Sequence, residues 1–269
     1  MVERTDIRQR TGKLVSAIQK EWGQWAGTAE SSELEHLLHQ SHVLLHCQDE
    51  AQLRTVVGPD GLRGFFGVDP MIRFPRFGEI VATFDREFRE SHALQTRRLS
   101  LRDLAETDFV ATYEMDTDPL VMRYIGGAET RPFDEYRAFI TQRLGLWVSD
   151  RFHMWAMRLH GSDEFLGWVM LKPIRDTPHV EVGYRMPQSS WGKGYATEAA
   201  RAVLDYGFNT IGLEEITAVT HPDNTASQHV LTKCGLKRDG TLNYNGGGEI
   251  PFFRLSQNEY RQGRMTNDA

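Results

Sequence analysis

The chain has 269 residues, of which 40% are hydrophobic and 25% are charged, and these values are typical of a globular protein with a substantial core. Its formal net charge of −6 argues against the broad basic surface by which many proteins bind nucleic acids. The only two cysteines, Cys47 and Cys234, exclude a disulfide framework, and no apolar run is long enough to span a membrane.

The beginning of the sequence is polar and charged, and it lacks the apolar segment of a secretory signal. Together with the composition, this pattern leads us to expect a cytoplasmic protein. We expect neither nucleic acid nor a membrane as a partner.

Residues 1–92 are predicted to form a mostly helical accessory region of unknown role. The helical pattern extends to about residue 56, and several leucines fall on one side of a helical wheel, namely Leu34, Leu37, Leu38, Leu44 and Leu45. The stretch from Gly58 to Phe77 contains glycine, proline and aromatic residues without a clear period. It therefore indicates a loop with short elements.

Four histidines lie opposite those leucines, with Cys47 close by, and they are His36, His39, His42 and His46. Spacings of three and four residues on a helix can present ligands to a metal ion. Because no carboxylate or second ligand cluster accompanies them, a solvated helix face is the preferred interpretation. No metal site is predicted.

Residues 93–269 show alternating strand and helix patterns, which indicate a separate domain. The predicted elements, in chain order, are a strand over 98–102, a helix over 103–114 with Asp103 as its N-cap, a helix over 131–146, strands over 154–159, 165–171 and 179–186, a helix over 195–208, a strand over 216–220 and a helix over 225–234. This order predicts an α/β fold with a mixed sheet and crossover helices.

A glycine-rich turn, Gly192-Lys193-Gly194, lies between a predicted strand and the long helix that follows. The first N–H groups of a helix lack intrahelical partners, and the helix dipole is positive there, so this turn is suited to a pyrophosphate. Lys193 either adds a positive charge or faces solvent. The turn is not a P-loop, and Thr197 occupies the position where a dinucleotide fingerprint needs glycine.

The segment from Ser189 through Ala199 resembles the coenzyme A signature, [QR]-x-x-G-x-[GA], of the GNAT N-acetyltransferase superfamily. The wider run from Gly183 through Ala199 resembles the branch containing the ribosomal-protein N-terminal (alanine/serine) acetyltransferases. Three further segments resemble that branch in the same order, and they are residues 96–102, 118–125 and 221–236. The resemblance covers about residues 95–260. It implies the GNAT acyl-CoA N-acyltransferase fold, with acetyl-CoA as co-substrate.

The resemblance also assigns the acetyl-CoA site to a strand end, the glycine turn and two helix starts. The assigned residues are Tyr184, Arg185, Met186, Ser189, Trp191, Gly192, Lys193, Gly194, Tyr195, Ala196, Asn224 and Ser227. One position departs from the family pattern, because Ser189 replaces the usual Gln or Arg. This change removes one side-chain contact and leaves the main-chain N–H groups, so binding is expected to survive.

Glu181 is the candidate general base, because the acceptor amine must lose a proton and the matching strand position in this branch often carries Glu. Partial burial would raise the pKa of such a carboxyl. The alternative is an exposed strand residue, or one bonded to neighbouring backbone. Many GNAT enzymes carry a tyrosine acid at the position of Leu231, and Ser227 is the candidate substitute or a simple helix-capping residue.

The resulting hypothesis is an N-acetyltransferase that acts on a primary amine, either a protein N-terminus or a small molecule. The alternative is a non-catalytic GNAT fold that senses acetyl-CoA or binds a partner. Asp116 and Asp118 are candidates to attract a cationic amine. Residues 1–92 could cover the acceptor site, mediate a homodimer or recognise a protein substrate, and the sequence does not choose among these roles.

Overall fold

The computed structural model describes residues 3–47, 50–57, 61–67, 69–91, 93–147, 151–244 and 246–267. The chain divides into two compact units, Met1–His92 and Ala93–Ala269. No helix within the described residues is long and apolar enough to cross a membrane.

The described parts of the first unit consist of helices joined by short turns. Its helices are α1 (Glu3–Trp25), α2 (Ser31–His42), α3 (Glu50–Val57), α4 (Gly61–Phe66), α5 (Asp69–Arg73) and α6 (Pro75–Ser91). Leu34, Leu37 and Leu44 are buried in its core, whereas Leu45 is 37% exposed. The chain tightens into a 3-10 turn at Val43–His46, and this turn rotates Leu45 away from the face that α2 buries.

The predicted loop between Gly58 and Phe77 contains α4, α5 and the start of α6. Opposite the buried leucines, His36, His39 and His46 are exposed. Across the described ranges, no group of three or more His, Cys, Asp or Glu side chains is placed to hold a metal ion.

The second unit is built on one eight-stranded mixed sheet with the order β1-β2-β3-β4-β5-β6-β8-β7. Its strands are β1 (Leu94–Gln95), β2 (Leu99–Asp103), β3 (His153–Leu159), β4 (Trp168–Pro173), β5 (Val180–Arg185), β6 (Glu215–Val219), β7 (Lys237–Asn243) and β8 (Glu249–Ser256). Strands β5 and β6 pair in parallel, and the other neighbours pair antiparallel. The predicted mixed α/β architecture is confirmed.

Helices cover both faces of this sheet. They are α7 (Phe109–Thr117), α8 (Pro119–Met122), α9 (Phe133–Trp147), α10 (Tyr195–Asp205), α11 (Thr225–Lys233) and α12 (Gln257–Asn267). One core cluster joins α7 and α9 to Trp168 and Met154, and the other joins α10 and α11 to Val169 and Val182. Because side chains alternate along each strand, the sheet separates two apolar layers.

The prediction of a helix over 103–114 capped by Asp103 was wrong at its start. Strand β2 continues through Asp103, whose carboxylate lies 3.0 Å from Nδ1 of His153. The helical segment starts after Ala105, where the Asp108 carboxylate accepts a hydrogen bond from the Ala105 N–H. Asp108 is thus the acidic residue that satisfies a backbone donor at this helix start.

The predicted strand over 165–171 begins later, at Trp168. Gly167 has a φ of +119°, which interrupts the extended backbone before the strand. The Gly167 carbonyl accepts a hydrogen bond from Met157, so this residue closes the β3–β4 connection.

Strands β5 and β6 pair at a single register position, Glu181 with Thr217, within the described residues. The Thr217 hydroxyl also donates to the Val180 carbonyl at 3.0 Å. Beyond this position, no described residue forms a ladder pair with the rest of β5 on the β6 side. The backbone from Gly183 to Arg185 is therefore available on that side to a ligand placed between the strands.

Candidate active site

The glycine turn leads directly into α10, whose N-cap is Gly194. Gly192 and Gly194 have φ values of +72° and +78°, and this left-handed backbone favours glycine. The N–H groups of Tyr195 and Ala196 have no intrahelical acceptor because they lie in the first turn, and Gly194 has no side chain that could cap them. A Cβ at Gly192 would meet no atom within 4 Å, and Lys193 is exposed beside it. The turn is therefore suited to an anionic group such as a phosphate.

The N-terminus of α11 is joined by hydrogen bonds to β5. The Asn224 side chain caps α11 by accepting from the Ser227 N–H at 3.1 Å. The hydroxyl groups of Tyr184 and Ser227 lie 3.0 Å apart, and Tyr184 also donates to the Ser227 carbonyl at 3.2 Å. Desolvation raises the pKa of Tyr184, so its hydroxyl remains a proton donor at neutral pH.

Glu181 is 2% exposed and lies where β5 and β6 pair. Its Oε1 forms an ion pair with Nζ of the buried Lys172, the residue opposite it on β4. The hydroxyl of Tyr244, which follows β7, donates to the same oxygen at 2.7 Å. Within the described residues, Oε2 receives no hydrogen bond. The alternative of an exposed strand glutamate is therefore wrong, and this carboxylate is fixed by side chains from two other segments.

Arg185 lies on the same face of β5 as Glu181, and its guanidinium donates to Asp116 of α7 at 2.6 Å. The Tyr136 hydroxyl donates to the other Asp116 oxygen at 3.0 Å, and desolvation followed by the Asp116 charge raises the Tyr136 pKa. The negative charge of Asp116 is thus already paired with Arg185. Asp118 caps α8 through the Leu120 N–H and accepts from Gln188, so both candidate amine-attracting carboxylates have protein partners.

The remaining assigned residues lie around the turn. Ser189 is exposed, and the Trp191 indole donates to the Met186 carbonyl at 2.9 Å. This bond fixes the Trp191 ring, which is 43% exposed, at the start of the turn. The Met186 side chain, directly after β5, is buried in the core and contributes to its packing.

Leu231 and Cys234 lie in the apolar layer beneath α10 and α11. Leu231 is 1% exposed, so the usual tyrosine position is occupied by a core side chain. Desolvation raises the pKa of the Cys234 thiol to about 11, which makes it a poor nucleophile at neutral pH.

Sequence reasoning missed Lys172 and Tyr244 as the partners of Glu181. The first had a usable signal, because counting across the β4–β5 hairpin places Lys172 opposite Glu181. Tyr244 had none, since it reaches Glu181 from 63 residues away. The same applies to the bond between Arg185 and Asp116, which are 69 residues apart.

Comparison with known proteins agrees with this geometry. The family model of the acetyltransferase (GNAT) domain matches residues 98–237. The N-acetyltransferase YnaD of Bacillus subtilis is 32% identical over 148 residues, which are 55% of this chain and 84% of that protein. The FsC-acetyl coenzyme A-N(2)-transacetylase of Aspergillus fumigatus is 34% identical over 157 residues, covering 53% of this chain and 64% of that protein.

A solved GNAT-family acetyltransferase from Bacillus anthracis superposes with a TM-score of 0.53 at 26% identity, covering 62% of this chain and 99% of that one. These matches, the mixed sheet and the glycine turn at the start of α10 lead to one conclusion. The chain belongs to the GNAT acetyltransferase family and is an acetyl-CoA-dependent N-acetyltransferase.

Proposed function

We propose that the protein transfers the acetyl group of acetyl-CoA to a primary amine by direct attack of the amine on the thioester. The observation that carries this proposal is the position of Glu181. Its carboxylate lies at the single register position where β5 and β6 pair, next to the stretch of β5 that has no β6 partner. The Glu181 base and the pantetheine arm of the cofactor can therefore lie next to each other.

Glu181 is proposed as the base that receives the proton of the attacking amine. An amine is mostly protonated near pH 7, so a proton acceptor is needed before or during attack. Lys172 and Tyr244 both contact Oε1, which leaves Oε2 to face the substrate directly or through one water. Lys172 and Tyr244 are positioning residues, because they hold the carboxylate and do not touch the reacting atoms.

Acetyl-CoA supplies the activated acetyl group, and this chain supplies groups that bind it in one orientation. We assign the phosphates to the N–H groups at the start of α10, with Lys193 adding charge. The pantetheine arm is assigned to the backbone of Tyr184, Arg185 and Met186 and to the Asn224 side chain. Both assignments rest on the open side of β5 and on the exposed turn.

Ser227 is proposed to donate a hydrogen bond to the leaving thiolate. Its hydroxyl lies 3.0 Å from that of Tyr184. The Tyr184 hydroxyl can donate to the Ser227 hydroxyl while Ser227 donates to the sulfur as negative charge develops there. The thiol of coenzyme A leaves readily, so this donor is expected to contribute less than the base. Position 231, which is buried leucine here, contributes nothing to the step.

The test begins with free thiol released from acetyl-CoA in the presence of a panel of primary amines. Glu181→Gln keeps the size of the side chain and removes the base, so kcat should fall about 100-fold or more. Acetyl-CoA affinity should change little. Turnover that is unchanged in Glu181→Gln would contradict the assignment of the base.

Cofactor binding is tested by calorimetry with Gly192→Glu, whose carboxylate would repel the phosphates. Gly212→Glu is the matched control, because Gly212 also has positive φ, at +76°, and a Cβ there would also meet no atom within 4 Å. Binding should be lost in Gly192→Glu and kept in Gly212→Glu. A folded wild type that binds acetyl-CoA but acetylates no amine would instead support a sensor of acetyl-CoA.

A further inference from the structure

A cavity of about 850 Å³ lies between α1 and α6, inside the first unit. Its apolar lining includes Leu14 and Ala17 of α1 and Ile80 of α6. Binding sites for small molecules commonly enclose about 300–1,000 Å³ and are lined mainly by apolar side chains with a few polar groups. The cavity is therefore large enough for a small organic ligand.

Glu21 lines this cavity and is only 5% exposed. Its Oε1 accepts a hydrogen bond from the indole of Trp25, one turn further along α1, at 3.3 Å. Within the part of the chain that the structure describes, the carboxylate accepts no other hydrogen bond and forms no ion pair. An ionised carboxylate that is removed from water without a cationic partner is costly. Glu21 therefore has unused acceptor capacity inside a cavity that a ligand can enter.

Four basic side chains line the same cavity, and they are Arg10, Lys13, Lys20 and Arg76. Lys13, Lys20 and Arg76 are exposed, and Arg76 donates to Gln24 at 2.7 Å. Exposed charges are screened by water and salt, so they interact only weakly with a buried group. They still disfavour a ligand that carries several positive charges. The cavity is therefore suited to a single positive charge placed at Glu21.

We propose that this cavity binds a small organic amine with one ammonium group and an apolar body. The ammonium group pairs with the Glu21 carboxylate, and the apolar body packs on Leu14, Ala17 and Ile80. A hydrogen bond between two ionised groups is stronger than a neutral one, and burial protects it from screening. The inference concerns the first unit alone and does not rest on the proposed acetyltransferase function.

The first experiment is calorimetry on the full-length protein without acetyl-CoA. The probes are hexylamine and phenethylamine, each compared with the alcohol of the same skeleton, hexanol or phenethyl alcohol, and spermidine serves as the polycation. Each amine should bind about tenfold more tightly than its alcohol, and spermidine should bind more weakly than either amine. Equal binding of amines and alcohols, tighter binding of spermidine, or no binding of either amine would overturn the proposal.

Glu21→Gln keeps the shape of the side chain and an acceptor for the Trp25 indole, but it removes the charge. It should weaken binding of the amines about tenfold and change binding of the alcohols by less than about twofold. Glu79→Gln is the matched control, because Glu79 also lines the cavity but is exposed on α6. Its amine affinity should stay within about twofold of the wild type. Equal losses in the two variants would overturn the assignment of the ammonium group to Glu21.

Denaturant unfolding provides a test that does not depend on the choice of probe. Because an unpaired buried carboxylate is unfavourable, Glu21→Gln without ligand should unfold at the same denaturant concentration as the wild type or at a higher one. Hexylamine should raise the unfolding midpoint of the wild type and leave that of Glu21→Gln unchanged. A Glu21→Gln protein that is clearly less stable than the wild type would show that the carboxylate is already paired in the folded protein, and this result would overturn the site.

Discussion

Arg98 and Glu198 connect the start of β2 to the first turns of α10. The Arg98 backbone N–H donates to Oε1 of Glu198 at 2.7 Å, and Arg98 Nε donates to Oε2 at the same distance. The Thr96 hydroxyl adds a third hydrogen bond at 2.6 Å. Because α10 begins directly after its N-cap Gly194, this carboxylate fixes the proposed phosphate-binding turn against the sheet.

Replacing Glu198 by glutamine should destabilise the acetyltransferase unit. The side chain is 16% exposed, so its hydrogen bonds are largely shielded from water. Loss of a charged acceptor shared by Thr96 and Arg98 is expected to lower the free energy of unfolding by about 2 kcal/mol. Denaturant unfolding measures the difference. Glu164→Gln is the control at an exposed position and should change stability by less than about 0.5 kcal/mol.

The same carboxylate should make stability depend on pH. Desolvation raises the pKa of Glu198, but the hydrogen bonds from Thr96 and Arg98 outweigh it, and the net pKa is lowered from 4.5. A folded pKa below the unfolded one stabilises the fold above pH 4.5, and this contribution is lost as pH falls toward the folded pKa.

The stability difference between the wild type and Glu198→Gln should therefore be full at pH 7 and shrink below about pH 4.5. Unfolding at several pH values with both proteins measures it. A difference that stays constant between pH 7 and acid, with both proteins folded, would show that the carboxylate charge is not what stabilises this contact.

Gly167 should tolerate no side chain. A Cβ there would lie 2.2 Å from the Arg185 carbonyl oxygen and 2.8 Å from the Met186 Cα, and φ is +119°. Gly167→Ala should cost about 3 kcal/mol or more and disturb the strand assigned to the pantetheine arm. Gly161→Ala is the matched control, because it has positive φ in the same connection but no atom within 4 Å. It should cost only about 1 kcal/mol.

If Gly167→Ala is as stable as Gly161→Ala, the β4 and β5 backbones must be farther apart than the 2.2 Å between a Cβ at position 167 and the Arg185 carbonyl oxygen implies. A change confined to acetyl-CoA affinity would show that the strands moved apart without unfolding.

Local patterns predicted most of the second unit, because strand alternation and helix periodicity can be recognised in consecutive residues. The β5 strand, the glycine turn and α10 were placed within a few residues for this reason. The start of α7 was missed because alternation continues through Asp103, and the capping carboxylate lies five residues later at Asp108.

The site was predicted less completely, since its side chains come from distant segments. The burial of Glu181 within its strand was predicted, but its contact with Tyr244 depends on how the β7–β8 hairpin returns to β5. The pairing of Asp116 with Arg185 reversed the expected role of that aspartate, from an amine-attracting charge to the partner of an arginine. Such contacts depend on tertiary packing, which no local period encodes.

Asn224 offers a test that separates helix capping from cofactor binding. Its Oδ1 accepts from the Ser227 N–H, and this capping interaction involves only the oxygen of the amide. Aspartate caps a helix as well as asparagine does, so Asn224→Asp should keep the free energy of unfolding within about 0.5 kcal/mol. Aspartate lacks the N–H donors of the amide and adds a negative charge, so the proposed hydrogen bond to the pantetheine arm would be lost.

The expected result for Asn224→Asp is therefore a normal unfolding curve with a KM for acetyl-CoA raised about tenfold, which corresponds to about 1.4 kcal/mol. Asn224→Ala is the comparison variant, because it removes the cap and the donors together and should lose about 1 kcal/mol of stability as well. Steady-state kinetics and denaturant unfolding on the three proteins give both quantities. If Asn224→Asp retains the wild-type KM, the amide acts only as the cap of α11, and the arm near the thioester must be held by the β5 backbone alone.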